Sequence, residues 1–180
     1  KIDMLIMGWH GKPPSYGFRL GSTVDAIIER SPCDVVILKE CGNREFKRIL
    51  VPSAGGPNCV FALEIASILA EKDDAEIVAF SVNTNKRNFD LDNFLEFQKN
   101  QSKINLDRVN TRSVFAQNIV NAILEESEKY DLVVIGSTQE PLLYQVTRDY
   151  IPNAVARRCL KPMIIVKASG GFRSWIKRWL

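Results

Sequence analysis

Several features that mark special protein classes are scarce in this 180-residue sequence. There are four cysteines, none spaced as C-x-x-C, and one histidine, so neither a zinc ribbon nor a redox pair is indicated. No apolar run reaches the roughly 18 to 20 residues of a membrane-spanning helix. The first residues do not have the pattern of a signal peptide. We therefore expect buried, reduced cysteines, no metal site, and no membrane span or secretion signal in this chain.

Positively and negatively charged residues are nearly equal in number. The chain has 24 Lys and Arg against 21 Asp and Glu, and the surplus lies in its last residues, at Arg173, Lys177 and Arg178. A nucleic-acid-binding protein usually carries a broad basic patch, so we expect no nucleic acid partner. His10 has no carboxylate near it in sequence that could complete an acid/base pair. We therefore expect no enzymatic activity.

Short apolar runs alternate with segments of helical periodicity. The runs have the length of buried strands, and they cover residues 4–7, 35–38, 49–51, 77–82, 132–135 and 163–166. Helical spacing is found at residues 24–28, 57–69, 119–124 and 151–159. Residues 83–110 are rich in asparagine, and we predict a loop, a weakly marked helix and then a strand near 111–115. The alternation predicts βαβ units in a parallel sheet.

The N-terminal segment recurs 128 positions later in the chain. KIDMLIMG at residues 1–8 aligns without a gap on KYDLVVIG at 129–136, and VVILK at 35–39 aligns on MIIVK at 163–167. A strand, a loop, a helix and a strand stay in register over 39 residues, which predicts two related α/β units.

This repeat predicts a division of the chain into parts. We assign the C-terminal βαβ part of a first domain to residues 1–40, a linker to 41–47, a complete second domain to 48–167 and a tail to 168–180. The division leads us to expect a natural protein that is longer at its N-terminus.

A glycine loop follows the first predicted strand. It reads Gly8-Trp9-His10-Gly11, then nine residues, then Gly21-Ser22-Thr23 at the start of a helix. Glycines let backbone N–H groups approach an anion, and the start of a helix favours negative charge. Turns and helix caps need glycine as well. The loop is therefore either a phosphate cradle or a plain turn, and we expect its histidine to face solvent or a phosphate.

The loop, its helix and the following Pro-Cys-Asp-Val-Val resemble the C-terminal half of a universal stress protein domain. Residues 48–53, 111–123 and 131–167 resemble further parts of such a domain. The resemblance implies an α/β, flavodoxin-like fold with a parallel five-stranded sheet of order 3-2-1-4-5 and helices on both faces. It also implies that Gly8, Gly11, Gly21 and Ser22 bind ATP phosphates in the first half.

The second half departs from the family's nucleotide pattern. Gln139, Asp149 and Tyr150 stand where the first half has Gly11, Gly21 and Ser22. Ala54 stands where the family has an aspartate associated with the nucleoside. An aspartate repels phosphate, and a tyrosine ring fills the space an anion needs. We therefore predict that the complete domain binds no cofactor, and that ATP binding is restricted to an intact first domain.

The tail has the composition of an interfacial helix. Its spacing puts Phe172, Trp175, Ile176 and Trp179 on one helical face, with Arg173, Lys177 and Arg178 around it. Interfacial helices combine Trp, aliphatic and basic residues in this way, which predicts membrane-surface contact through Trp175, Lys177, Arg178 and Trp179. A helix packed on its own domain or on a partner fits the pattern equally.

The resemblance leads to two hypotheses of function. Tandem domains of this family also form the cytosolic C-terminal part of prokaryotic secondary transporters, including amino acid permeases and cation-chloride cotransporters. The first hypothesis is therefore a non-catalytic regulatory and dimerisation module on the cytosolic side of the cell membrane. Its partners would be a second copy, in a homodimer, and the upstream membrane-embedded transporter domain. The alternative is a free, cytoplasmic tandem stress protein that binds ATP through its N-terminal domain.

The family's dimers imply one further feature. In them the fifth strands of two domains meet antiparallel. We therefore expect residues 35–38 to lie beside residues 163–166.

Overall fold

A computed structural model of the protein describes residues 2–10, 20–39, 45–101, 106–137 and 151–169. The strands in these residues are β1 (Met4–Gly8), β2 (Asp34–Lys39), β3 (Arg48–Pro52), β4 (Glu76–Asn83), β5 (Val109–Phe115), β6 (Leu132–Gly136) and β7 (Met163–Lys167). The helices are α1 (Ser22–Arg30), α2 (Pro57–Asp73), α3 (Leu91–Gln101), α4 (Ile119–Ser127) and α5 (Ile151–Arg158). The predicted strands and helices are confirmed, including the weakly marked helix in the asparagine-rich stretch. The predicted linker at 41–47 lies largely outside the described residues and stays a prediction.

The strands form one sheet in the order β1-β2-β7-β6-β3-β4-β5. Taken alone, β3 to β7 are all parallel and have the predicted order 3-2-1-4-5. The α/β, flavodoxin-like fold is therefore confirmed. The sheet has seven strands and not five because β1 and β2, from the first half, join it through β2.

The first half joins the second through an antiparallel pair of strands, as predicted. Ile37 on β2 lies opposite Ile165 on β7, which is its own equivalent under the repeat of 128 positions. Val35 lies opposite Lys167 and Lys39 opposite Met163, so the pairing is symmetric about the two isoleucines. An approximate two-fold axis therefore passes between the two halves at this point.

Helices cover both faces of the central strands β3, β4, β6 and β7, which explains why these strands are apolar on both sides. One core lies under α2 and α3, and it includes Leu63, Ile77 and Val134. The other lies under α1, α4 and α5, and it includes Val35, Ile123 and Ile165. Each fully buried large aliphatic side chain contributes about 1.5 to 3 kcal/mol.

Helix α2 begins at a sharp turn directly after β3. Gly55 and Gly56 have φ angles of +83° and +85°, a conformation that side chains with a Cβ rarely adopt. Pro57 occupies the first turn of the helix, where its missing N–H group costs nothing. The two glycines therefore direct the chain from the end of β3 onto the sheet.

The cysteines that the structure describes, Cys33, Cys59 and Cys159, are buried free thiols, as predicted. Within the described ranges, no group of three or more His, Cys, Asp or Glu side chains is arranged to hold a metal ion. A search of the same ranges finds no helix with the length and apolar character to cross a membrane. The four tail residues predicted to contact a membrane surface, Trp175, Lys177, Arg178 and Trp179, lie outside the described residues.

Candidate functional site

The candidate site lies at the carboxyl ends of β3 and β6. In a doubly wound sheet, ligands bind in the crevice at the carboxyl ends of the strands, where the direction of winding changes. Here that point falls between β3 and β6, because β4 and β5 lie on one side of β3 while β6 and β7 lie on the other. The crevice is bordered by the β3–α2 turn, the end of β6 and the segment after β4.

The side chain of Asn58, from the first turn of α2, crosses the ends of β6 and β7. Its Nδ2 donates to the backbone oxygen of Ser137 at 2.6 Å and to the Ser137 hydroxyl at 3.1 Å. Its Oδ1 accepts the backbone N–H of Ala168 at 2.8 Å. Since Asn58 is buried, these bonds satisfy polar groups that a ligand would otherwise reach.

The backbone of α2 also approaches the end of β6 closely. A Cβ atom added to Gly136 would lie 2.7 Å from the backbone carbon and oxygen of Asn58. Real Cβ atoms do not come so near to backbone atoms, so glycine is needed here for the helix to pack against the strand. The first turn of α2 and the end of β6 therefore leave no open space between them.

The segment after β4 covers the other side of the β3–α2 turn. Thr84 and Arg87 form a short antiparallel bridge, and the Arg87 guanidinium donates to the backbone oxygen of Ala54 at 2.5 Å. The Phe89 ring lies close enough to Gly55 that an added Cβ would meet it at 3.1 Å. The backbone oxygen of Ala54 is thus occupied by a side chain of the protein itself.

Beneath this turn the thiol of Cys59 is enclosed. Burial raises the pKa of Cys59 above its ordinary value, and hydrogen bonds from Ser53 and from the backbone of Gly55 and Ala54 oppose this effect less strongly. Ser53 itself donates to the backbone oxygen of Val51 at 2.9 Å. Because only the thiolate is a strong nucleophile, Cys59 is suited to packing and not to covalent chemistry.

In the first half, the structure describes the residues on both sides of the glycine loop. Gly8 ends β1, and the buried Trp9 that follows donates from its indole Nε1 to the backbone oxygen of Leu20 at 3.0 Å. This bond ties the start of the loop to its end. His10 is exposed, as predicted. Gly11 lies outside the described residues, so the assignment of the loop to phosphate binding stays a prediction.

A carboxylate of the chain lies at the start of α1. The two oxygens of Asp25 accept the backbone N–H groups of Leu20 and Gly21, each at 3.2 Å. Gly21 has a φ angle of +138°, which only glycine adopts readily. Asp25 therefore already binds one of the N–H groups that the sequence assigned to a phosphate, as a capping carboxylate does.

Sequence reasoning missed two contributors to this site, Asn58 and Arg87, and one residue at the glycine loop of the first half, Asp25. Asp25 was signalled by an acid four residues after Gly21, which is near the spacing of a helix-capping carboxylate. Asn58 was signalled by an amide in the otherwise apolar first turns of α2. Arg87 gave no signal, because it lies in the asparagine-rich stretch and acts through a turn formed after β4. Gln139, Asp149 and Tyr150 lie outside the described residues.

Comparison with known proteins places this fold in a family. The sequence profile of the universal stress protein family matches residues 1–39 and 45–167, which is most of the chain. The chain belongs to the universal stress protein family. No curated protein sequence matches it significantly.

Solved structures of this family share the fold. A universal stress protein from Archaeoglobus fulgidus DSM 4304 aligns with a TM-score of 0.68 and 20% identity over 95% of this chain and 62% of its own. One from Lactobacillus plantarum aligns with a TM-score of 0.53 and 16% identity over 69% of this chain and 100% of its own. A universal stress protein in complex with cAMP aligns with a TM-score of 0.51 and 17% identity over 70% of this chain and 100% of its own. This chain therefore covers less than two thirds of the length of the Archaeoglobus fulgidus DSM 4304 protein.

Proposed function

We propose that this chain is a non-catalytic regulatory module of the universal stress protein type whose complete domain binds no nucleotide. The observation that carries the proposal is the crevice between β3 and β6. Asn58 bridges the ends of β6 and β7, while Arg87 binds the backbone of Ala54. A nucleotide that displaced the buried Asn58 side chain would leave its polar groups unpaired, at a cost of about 1 to 3 kcal/mol for each group. The bond between Arg87 and Ala54 is exposed and adds less.

The described residues also argue against catalysis. Burial raises the pKa of the Cys59 thiol, and His10 is exposed. The buried carboxylate of Glu126 forms ion pairs with Lys129 at 2.9 Å and with Arg112 at 3.2 Å. Glu126 lies near the end of α4, which leads into the start of β6, whereas the crevice lies at the carboxyl end of β6. A catalytic group has to be within reach of a substrate, and these groups are either enclosed, neutralised or outside the crevice.

In this proposal the module works through surfaces, as the cytosolic regulatory part of a membrane secondary transporter such as an amino acid permease or a cation-chloride cotransporter. The bonds of Asn58 and Arg87 at the crevice and the basic, aromatic composition of the tail support this setting. The fifth-strand edges of the two halves already pair with each other within the chain, through β2 and β7. A homodimer would therefore have to use a different surface.

Fractionation of the source cells, with an antibody against this chain, tests the setting. A transporter module should be recovered in membranes, resist a carbonate wash and migrate well above the 20.3 kDa of this chain. Recovery in the supernatant without detergent, as a protein composed only of stress-protein domains, would reject the transporter setting.

The second candidate is a stress protein that binds ATP through its first half. It is favoured by the loop after β1, where a Cβ atom on Gly8 would meet no described atom within 4 Å and Trp9 binds the backbone of Leu20. A related fold has been solved with cAMP, so the architecture accommodates a nucleotide. Titration of the natural protein with ATP tests this candidate. Saturable binding that Gly21→Val removes would support it, and binding unchanged by that substitution would not.

A further inference from the structure

A second pocket lies at the opposite end of the sheet from the crevice, between α2 and the amino ends of β4 and β5. Its described lining consists of Ser67, Ala70 and Glu71 on α2, Ile77 on β4 and Arg108 directly before β5. Its volume is about 260 Å³, whereas one water molecule takes up about 30 Å³ of the liquid. Pockets for drug-sized ligands measure about 300 to 1,000 Å³. The pocket therefore has the size for a small molecule and is far larger than one water needs.

The pocket is lined by a buried hydroxyl group that lacks a partner. Ser67 is 7% exposed, and among the described residues its Oγ atom has no hydrogen-bond partner. A serine inside a helix usually bonds to the carbonyl group one turn earlier or faces water. The buried Ser127, by contrast, donates from its Oγ to the backbone oxygen of Leu124 at 2.6 Å. Because most buried polar atoms are bonded, the Ser67 hydroxyl points to a ligand that supplies the missing bond.

Two exposed side chains of opposite charge also line the pocket. Glu71 lies in the last turn of α2, where the carboxylate and the helix carbonyl groups both favour a cation. Arg108 is held by a turn in which the N–H of Val109 donates to the oxygen of Leu106 at 3.0 Å. Its Nη1 donates to Oδ1 of Asp74 at 2.7 Å. Since a guanidinium has five N–H donors, Arg108 can bind a second carboxylate at the same time.

We propose that this pocket binds a free α-amino acid with a neutral polar side chain. The ammonium group of the ligand pairs with Glu71, and its carboxylate pairs with Arg108. The methylene groups of its side chain contact the apolar Ala70 and Ile77, each 1% exposed. The polar end of the side chain bonds to Ser67, one helical turn before Glu71. This inference goes beyond the proposed function and does not rest on it.

A simple anion fits the pocket less well than a zwitterion. Arg108 would attract it, but the carboxylate of Glu71 would repel it at the same site. An anion held at Arg108 would also leave the Ser67 hydroxyl without a bond. A purely apolar molecule would leave all three polar groups of the pocket without a partner. The zwitterion with a polar side chain is the class that uses every lining residue.

Titration of the 180-residue chain with L-glutamine, followed by nuclear magnetic resonance of the backbone amides, tests the proposal. We expect saturable shifts at Ser67, Ala70 and Ile77, with a dissociation constant at or below about 1 mM. Three analogues each lack one feature: N-acetyl-L-glutamine lacks the ammonium charge, the amide of L-glutamine lacks the carboxylate, and L-leucine lacks the polar end. Each should bind about fivefold more weakly or less, because one hydrogen bond is lost.

Ser67→Ala separates ligand binding from a structural role. It should weaken L-glutamine binding about fivefold, because the bond to the side chain is lost. The melting temperature of the ligand-free chain should stay unchanged or rise, because an unpartnered hydroxyl is replaced by a residue that favours the helix. Ser127→Ala is the matched control, since it removes a buried hydroxyl that is bonded. It should lower the melting temperature and leave L-glutamine binding unchanged.

Four results would each overturn the proposal. They are no saturable shift with L-glutamine up to about ten times that 1 mM value, equal binding of L-glutamine and its three analogues, binding unchanged by Ser67→Ala, and a lower melting temperature of ligand-free Ser67→Ala. The last result would show that the hydroxyl is bonded to a water molecule or a protein group. None of these measurements involves ATP or recovery in membranes, so they can fail separately from the tests of the proposed function.

Discussion

Lys39 and Lys167, equivalent residues of the two repeats, each cross the β2–β7 junction to bind the end of a helix in the opposite half. Lys39 Nζ donates to the backbone oxygens of Ala156 at 2.9 Å and Cys159 at 2.5 Å, at the end of α5. Lys167 Nζ donates to the backbone oxygen of Ser31 at 2.5 Å, at the end of α1. A cation at a helix C-terminus is favourable because the last carbonyls lack partners within the helix. The two halves therefore hold each other by the same contact made twice.

The two lysines should contribute unequally to the free energy of unfolding. Lys39→Met removes two bonds, and we expect it to lower the free energy of unfolding by about 1 to 2 kcal/mol. Lys167→Met removes one bond from an amine whose pKa is lowered by burial, against an opposing effect of Cys33 and Asp34. Its cost should be smaller. Urea unfolding followed by circular dichroism measures both. The exposed Lys86→Met serves as the control, and a larger loss for Lys167→Met would contradict the account.

The two equivalent glycines should respond oppositely to an added methyl group. Gly136→Ala places a Cβ atom 2.7 Å from the Asn58 backbone, so α2 has to shift, at a cost of about 1 to 3 kcal/mol. A Cβ atom on Gly8 meets none of the atoms that the structure describes within 4 Å, so Gly8→Ala should change stability by less than about 0.5 kcal/mol. Thermal unfolding of the two variants decides the matter. Equal losses of stability in the two variants would contradict the close packing of α2 against Gly136.

Tyr130 should make the fold sensitive to alkaline pH. Burial raises the pKa of Tyr130 above its ordinary value of 10.0, and the charge of Glu126 raises it further, while Arg48 and Arg112 oppose this. The folded state therefore keeps the phenolic proton when the unfolded state has lost it. The stabilisation is complete below pH 10 and is lost as the pH rises through the folded pKa.

Tyr130→Phe tests this sign directly. As the pH rises above about 10, the free energy of unfolding should fall more steeply for the unchanged protein than for Tyr130→Phe. The difference in absorbance at 295 nm between the two proteins should titrate above pH 10. Parallel pH profiles for the two proteins would contradict the assignment.

The sequence predicted the parts of the fold that depend on local pattern. The runs at 77–82, which Ser81 alone interrupts, and at 132–135 do not alternate with polar residues because α-helices cover both faces of those strands, and such runs indicate parallel strands. The antiparallel contact of Ile37 with Ile165 followed from the repeat and the family's dimers. Helix α3 was only weakly marked, because Leu91 and Leu95 are its only fully buried apolar residues in the core.

The remaining features depend on tertiary contacts that leave little trace in the sequence. Ile6 and Val134 occupy equivalent positions in similar strands, yet one is exposed and the other is covered by α2. Asn58 follows Pro57 in a first helical turn, where an amide usually faces water. Its position across two strand ends became evident only when β6 and β7 were placed beside α2.

Calorimetric titration of the 180-residue chain with ATP tests the central claim most directly. Within the described residues Asn58 bridges the ends of β6 and β7 and Arg87 binds the backbone of Ala54, and the prediction of a phosphate-binding loop applies to the first half alone. We therefore expect no saturable heat, or a dissociation constant well above about 10 μM, which corresponds to roughly 7 kcal/mol of binding. Saturable binding below that value, with amide shifts at Asn58 and Gly136 in the nuclear magnetic resonance spectrum, would contradict the account.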